Sequence, residues 1–424
     1  MSIKKLYVSE FAKFSAVLLS SNVLSQVIAI AVYPLLTRLF SPDVFGEYNW
    51  FLSLVGILTL ITTGRYELAI VLAKTEKQAV ALFQLSLLIA GICFVLFFGI
   101  TAFWKSEIAA LFHREQLVEL LPFLPFYLLI AGIWQSLNNY FIRLKRFNNI
   151  SSYNLFQSLF NSGLKCWFGF KGYLQHGLVM GHFWGQAIAT LGSLIAGRKT
   201  LKPLKQWDKT EIINMAKTYS DFPKYKLPYG LLDAFAENLP VLLLSAYYGM
   251  EQIGLFSLAL VMGFTPVFVF NKSVYQILYQ KSSELMRNGA KILPVFMKYW
   301  KICLRCLLPF FVLFLFMPDV FFTTLFGSKW TGVGFYLKCM LPWLFLVVLN
   351  AALYFIPDLF SRQKTAMNIE IAYTALRLII LFVGAYFQNF QWAVALYCAA
   401  SAVILAIRML WCYCLINKYE FSLR

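Results

Sequence analysis

Twelve stretches of about twenty mostly apolar residues, set apart by short segments rich in Lys and Arg, dominate this sequence. One such stretch is what a helix needs to cross the hydrocarbon core of a bilayer. Hydrophobic residues make up 60% of the chain and charged residues 13%, against about half and about a quarter in soluble domains. With a mean hydropathy of +0.68, the chain has more apolar surface than a water-soluble core can hide. Lipid must be part of its solvent. The stretches lie at about 14–36, 44–64, 79–103, 118–141, 151–170, 174–197, 222–246, 253–279, 295–318, 335–357, 366–387 and 391–416. They predict an all-α polytopic membrane protein with about 12 transmembrane helices.

Charge sets the expected orientation. The net charge of +18 comes in small clusters between apolar stretches, which is how positive loops hold one side of a membrane and not how a nucleic-acid surface is built. With the N-terminus inside, the inner segments carry 26 Lys and Arg and the outer segments 6, with five more inside spans. Both termini are therefore expected in the cytoplasm. The basic start "MSIKKLYVSEFAKF" leads into a long apolar run with no small-residue cleavage site, so an uncleaved first span is expected. At "GRYE", Arg65 and Glu67 mark where span two leaves lipid, and "ELAIVLAKTEKQ" reads as an amphipathic linker to span three.

The densest basic segment, between spans six and seven, lies near the middle of the chain and suggests two halves. "YPLLTRLFSPDVFGEYNWFLSL" and "LPVLLLSAYYGMEQIGLFSLAL" share a pattern: Pro34 matches Pro240, and Gly46 matches Gly254 with a two-residue gap. The expected division is a six-helix bundle over 1–200, a basic cytoplasmic linker over 201–221 and a second six-helix bundle over 222–424.

"LFSPDVFGEYN", "GRYELAIVLAK" and "DFPKYKLPYGLLDAFAENLPVLLLSAYYGMEQIGLFSLA" resemble the bacterial polysaccharide-biosynthesis flippases of the O-antigen (Wzx) type. These belong to the multidrug/oligosaccharidyl-lipid/polysaccharide exporter superfamily. The resemblance runs from about Phe11 to about Lys418. It implies two bundles around a central cavity and alternating access in the bacterial inner membrane. The substrate it implies is an oligosaccharide on undecaprenyl pyrophosphate, a repeat unit of O-antigen, capsule or exopolysaccharide. A proton or sodium ion as coupling ion and an association with polysaccharide polymerase are also implied. On this reading Arg65 meets the pyrophosphate, whose two negative charges suit a guanidinium fork; the plain reading of Arg65 is an interfacial anchor.

A charge at membrane depth costs at least about 2.5 kcal/mol and so faces protein or water. Asn154, Ser158, Asn161 and Lys165 recur at helical spacing in span five and form one polar stripe, expected to line the cavity unless it serves helix packing. In span eleven Glu370 and Arg377 share a face, either as a ligand site or as a neutral pair. Lys272 in span eight is a further cation, free to snorkel to the inner surface. The substrate-binding candidates are thus Arg65, Lys165, Lys272, Arg377, Asn154 and Asn161. Asp233 and Glu237, four apart in span seven, repel unless a proton or cation lies between them. With Glu370 they are the ion-coupling candidates. Trp134, Gln135, Asn138, Asn139 and Tyr140 could meet sugars, although with so many aromatics in the chain a membrane-belt or packing role fits any one of them better.

No catalytic constellation, cofactor or metal site is expected. Cys303-x-x-Cys306 lies in an apolar run without a second pair and reads as buried free thiols, and His113, His176 and His182 are scattered. The alternatives are an ion-coupled drug or metabolite exporter of the same superfamily, a lipid II flippase, or a membrane polymerase or glycosyltransferase. A polymerase would need a large outer loop and a glycosyltransferase an Asp-x-Asp motif, and neither is present.

Overall fold

A computed structural model describes residues 3–111, 118–205, 207–360, 362–387 and 389–422, with side-chain surroundings from residue 20 onward except at residues 105, 109, 111, 205, 273, 276, 363, 385 and 422. His113, Arg114 and Arg424 lie outside the described residues. Those described contain helices and turns and no strand. They divide into two compact units, Met1–Ala246 and Tyr247–Arg424.

The helices of the first unit are α1 (Ile3–Leu39), α2 (Pro42–Leu58), α3 (Tyr66–Ala69), α4 (Glu76–Phe103), α5 (Lys105–Leu111), α6 (Phe123–Arg143), α7 (Phe147–Phe170), α8 (Gly177–Gly197), α9 (Lys209–Thr218) and α10 (Leu227–Tyr247). Local chemistry sets their ends. Pro42 opens α2, where its missing N–H is no loss. Thr75 caps α4, its hydroxyl accepting the Gln78 N–H at 3.2 Å. Between α3 and α4 the Arg143 guanidinium donates to the carbonyls of Ile70, Ala73 and Thr75, so the linker expected after "GRYE" is a turn pinned by one side chain.

Helices α7 and α8 touch backbone to backbone. Gly177, Gly181 and Gly185 lie at four-residue intervals on one face of α8. A Cβ at Gly181 would fall 2.6 Å from the Lys165 nitrogen, and one at Gly185 2.7 Å from the Asn161 Cα. Small residues in register let spanning helices approach this closely.

The second unit holds α11 (Met250–Arg287), α12 (Leu293–Cys306), α13 (Leu308–Leu315), α14 (Asp319–Phe326), α15 (Val333–Asn350), α16 (Ile356–Leu359), α17 (Gln363–Tyr386) and α18 (Phe390–Ser422). Here α17 meets α18 at Gly384, where an added Cβ would collide with the Ala393 Cβ. Each of the twelve apolar stretches falls on a helix or a bent helix pair. Eight of the described helices are long and apolar enough to cross a membrane alone, or nine if Leu293–Leu315 and Asp319–Phe326, bent by 89°, form one span. The 17-residue α2 is too short for that count, and α7 carries the polar stripe.

The matched motifs keep their helix register. Pro34 lies inside α1 and Pro240 inside α10, while Gly46 and Gly254 are each the fifth residue of the next helix. The basic segment is not a free loop. Helix α9 buries Ile212 and Met215 in a cluster with Tyr66, Ile70, Leu82 and Tyr140. Tyr66 Oη donates to the Ala216 carbonyl at 2.9 Å, and Lys77 pairs with Asp208 at 2.8 Å. Of the cysteines, Cys93, Cys303, Cys398 and Cys412 are buried. Cys306 and Cys414 are exposed on the surface of the chain, which corrects the expectation of a buried Cys303-x-x-Cys306 pair; all eight are free.

Candidate functional site

The stripe on α7 faces α1 across a polar groove of about 250 Å3, whose lining includes Asn22, Gln26, Asn154, Gln157, Asn161 and Lys165. Asn154 Nδ2 donates to Asn22 Oδ1 at 2.9 Å, and Ser158 Oγ to the Ser25 carbonyl at 2.7 Å. Asn154, Asn161 and Lys165, expected together from their spacing, are brought together. Part of the stripe also ties α7 to α1, so lining and helix pairing are served by the same face.

Lys165 is buried, 9% exposed, at the edge of this groove. Its ammonium donates to Tyr48 Oη at 2.8 Å and lies 4.6 Å from the centroid of that ring. Tyr48 Oη is 2.9 Å from His182 Nδ1, Asn161 Nδ2 is 3.1 Å from the same nitrogen, and Tyr127 Oη is 2.6 Å from His182 Nε2. Four helices, α2, α6, α7 and α8, contribute to this network. Spacing along the chain does not reveal it, because Tyr48 and His182 are 134 residues apart. The available signal was the glycine spacing around His182.

Arg65 occupies a second polar corner. Gly64 (φ 58°) and Arg65 (φ 64°) are both left-handed, which reverses the chain sharply after α2. A left-handed residue with a side chain costs about 1–2 kcal/mol, and such strain gathers at functional positions. Arg65 Nη1 lies 3.7 Å from Glu67 Oε1, and the other oxygen of that buried carboxylate accepts the Thr63 hydroxyl at 2.5 Å. Its Nη2 lies where a Cβ at Gly230 of α10 would fall, 2.6 Å away, so the guanidinium fits because residue 230 is glycine. Its Nε is buried without a partner among the described residues.

In the second unit Arg377 on α17 is ringed by aromatics. Its guanidinium carbon is 5.2 Å from the Trp343 ring, 4.8 Å from Tyr373 and 4.7 Å from Tyr397, and Nη2 donates to Tyr397 Oη. Glu370 pairs with Arg408 of α18 at 3.0 Å rather than with Arg377, which corrects the neutral-pair reading of span eleven. Seven residues along a helix is about 10 Å, too far for a salt bridge. Lys272 is exposed on α11. Asp233 and Glu237 are exposed on α10, one turn apart, with no ion pair found for either among the described residues. Trp134 stacks on Tyr153, and Tyr140 is buried against Phe83, so both are packing residues. Outside the spans, the Lys77 ammonium bonded to Asp208 holds that carboxyl below its ordinary range.

Comparison with known proteins is decisive at this point. Residues 35–334, well over half the chain, match the family described as polysaccharide biosynthesis protein. The chain belongs to that family. A relative, the teichuronic acid biosynthesis protein TuaB of Bacillus subtilis (strain 168), is 22% identical over 258 residues, 60% of this chain and 51% of the relative. The chain thus spans about half the length of the curated relative it matches. This family member shares its fold with multidrug transporters. An inward-facing multidrug resistance MATE family transporter of the MOP superfamily aligns over 94% of this chain and 96% of its own, with a TM-score of 0.64 and 13% identity. The Vibrio cholerae MATE transporter VcmN in its bent form aligns over 97% and 98%, with a TM-score of 0.51 and 15% identity. The chain is a multi-pass membrane protein of the polysaccharide biosynthesis family on a MATE-type fold.

Proposed function

We propose that this protein is a flippase of the bacterial inner membrane. It moves an undecaprenyl-pyrophosphate-linked oligosaccharide from the cytoplasmic to the outer leaflet by alternating access, with both termini in the cytoplasm. One observation carries the reading: a chain of a polysaccharide biosynthesis family is built on a transporter fold. Polysaccharide assembly then needs it for movement of a precursor and not for bond making, and transport, not catalysis, is its activity. The similarity to a teichuronic acid biosynthesis protein supports a glycan cargo.

Arg65, Lys165 and Arg377 are the cations proposed to answer the pyrophosphate, with Asn154 and Asn161 meeting sugar hydroxyls and Lys272 drawing the anion from the inner surface. Asp233 and Glu237 are the proposed coupling pair, since a bound proton or sodium ion would relieve their repulsion. Glu370, already paired with Arg408, is the third coupling acid. Polysaccharide polymerase machinery is the proposed partner.

Deletion of the gene tests this directly. The expected outcome is loss of surface polysaccharide with lipid-linked oligosaccharide retained on the cytoplasmic leaflet, both restored by the intact chain. Normal polysaccharide with raised drug sensitivity would establish the exporter alternative instead. In reconstituted vesicles, Asp233→Asn or Glu237→Gln is expected to make transport insensitive to an imposed proton or sodium gradient while substrate binding persists. Wild-type transport that ignores both gradients would remove the coupling.

A further inference from the structure

The network around His182 has a property that anion binding does not require: its hydrogen bonds run in one direction. Lys165 has only donors, so it gives a proton to Tyr48 Oη, 2.8 Å away. That oxygen gives its own proton to His182 Nδ1 at 2.9 Å, and Asn161 Nδ2 approaches the same nitrogen at 3.1 Å, again as a donor. Two donors on one nitrogen make Nδ1 the unprotonated acceptor. The ring proton is then on Nε2, which donates to Tyr127 Oη at 2.6 Å. With Lys165 as an ammonium, His182 is therefore neutral, and three bonds join them to Tyr127 in sequence. The close approach of Gly181 and Gly185 to α7 on either side of His182 holds the spacing.

Two further observations bear on where the proton rests. Asn161 Oδ1 is buried without a partner among the described residues. A half-turn of that amide would present an acceptor to a protonated Nδ1. No carboxylate counterion is found at the site among the described residues. The titratable groups around the chain there are Tyr33 of α1, Tyr48 of α2, Tyr127 of α6, and Tyr153, Lys165 and Cys166 of α7; none is a carboxylic acid. The acid next in sequence, Glu47, has His176, Asp43 and Glu119 as its charged neighbours instead. Without a carboxylate, two positive charges a few ångströms apart at membrane depth repel each other strongly. One excess proton is what the site holds comfortably.

We propose that Lys165 and His182 share one proton, and that pH and occupancy of the α1–α7 groove decide which of them carries it. The transfer is balanced. One Nζ–H bond of Lys165 breaks as an Oη–H bond forms on Tyr48; the former Tyr48 Oη–H bond breaks as Nδ1–H forms on His182. Lysine is left as a neutral amine, Tyr48 remains a phenol, and the single charge has moved to the imidazolium, where Asn161 Oδ1 accepts the new N–H. An anion in the groove beside Lys165 holds the proton at the lysine end; with the groove empty the lysine end is still preferred near pH 8, and His182 takes the charge as the pH falls. The first unit thus holds a proton site made without carboxylates and separate from Asp233 and Glu237. Its consequence for transport rests on the flippase reading, but the protonation itself does not.

The test uses the full chain in bilayers of phosphatidylethanolamine and phosphatidylglycerol, with 15N-labelled histidine. His113→Gln and His176→Gln leave His182 as the sole signal. At about pH 8 the expected spectrum is the neutral Nε2–H form, and acidification is expected to protonate Nδ1. Lys165→Met removes the competing site and should move that titration upward by about one pH unit or more, a tenfold gain in proton affinity. Lys165→Gln serves where Lys165→Met does not fold. Added undecaprenyl pyrophosphate, the anionic probe, should move the titration downward in the intact protein and leave it unmoved in the Lys165 variants. An Nδ1–H neutral form, a titration unaffected by loss of Lys165, or one unaffected by the probe would each overturn the proposal. A chain that carries some other cargo, contrary to the flippase reading, still gives the tautomer and the Lys165 result.

Discussion

The two units enclose a cation in opposite ways. On the proposed repeat, α7 and α17 are the fifth long helices of their halves, and each carries one: Lys165 and Arg377. Lys165 sits among hydroxyls, an imidazole and an amide. Arg377 sits among three aromatic rings with one hydroxyl partner. An ammonium can give up its proton when its surroundings change, whereas a guanidinium stays charged at any accessible pH. One unit is therefore equipped to change its charge and the other to keep it. The same contrast runs through their interiors. Buried polar side chains such as Ser53, Thr62, Gln84, Ser136, Gln186 and Thr190 crowd the first unit, while those of the second among the described residues are Ser257, Ser282, Asn350 and Ser401.

What the units share gives the largest expected effect. Both seat their cation-bearing helix against the next span through a glycine, Gly181 in one and Gly384 in the other. Gly181→Val and Gly384→Val should each destabilise by about 3 kcal/mol or more, since backbone or a Cβ stands where the new side chain must go. Thermal melts in detergent would read the loss. A mild effect at one site only would mean that the shared packing device is not shared.

Exchanging the cations sharpens the contrast. Arg377→Lys loses the planar stack and should cost about 1–2 kcal/mol in melting free energy, with the pH profile of transport unchanged. Lys165→Arg keeps the charge but fixes it. Its transport in vesicles is expected to lose pH dependence while some activity remains. A wild-type profile in Lys165→Arg would break the distinction between the units.

Gly230→Ala should displace the Arg65 guanidinium and lower transport about tenfold, roughly 1.4 kcal/mol, with little change in melting. Arg65→Lys, with Gly230 intact, should retain part of the activity, because charge remains and the fork is lost. The smallest effect is expected at the membrane surface. Asp208 is partly exposed, and its carboxyl is held low by Lys77. Such a group stabilises above its unfolded pKa of about 3.9, and the benefit fades as pH falls through its lower folded value. Asp208→Asn should therefore melt slightly below wild type at neutral pH, and the two curves should converge in acid.

The spans were legible because lipid demands long apolar runs, and the α7 stripe because one helix face repeats every three to four residues. Asn154, Asn161 and Lys165 were found that way. His182 was not, since its partners come from α2, α6 and α7 and no single helix displays them together. Glu370 and Arg377 show the opposite failure: a shared face was read correctly, but the partner of Glu370 stands on the neighbouring α18. The basic segment was legible as a concentration of charge near the middle of the chain. Its docking was hidden because only Ile212 and Met215 mark the buried side of α9.

That docked helix bears on how the chain can be assembled from pieces. By sequence α9 belongs to the junction; by packing it belongs to the first unit, with Tyr66, Lys77 and the Gln84 amide on Leu204 as its hold. A gene cut just ahead of residue 201 would give the second polypeptide a ready-made plug for a socket on the first. A cut just beyond Tyr219 would leave the plug in its socket and the second polypeptide with α10 alone, whose Gly230 lies against Arg65, to find it by. The position of a break, and not merely its presence, would set how firmly two separately made fragments reunite in the membrane.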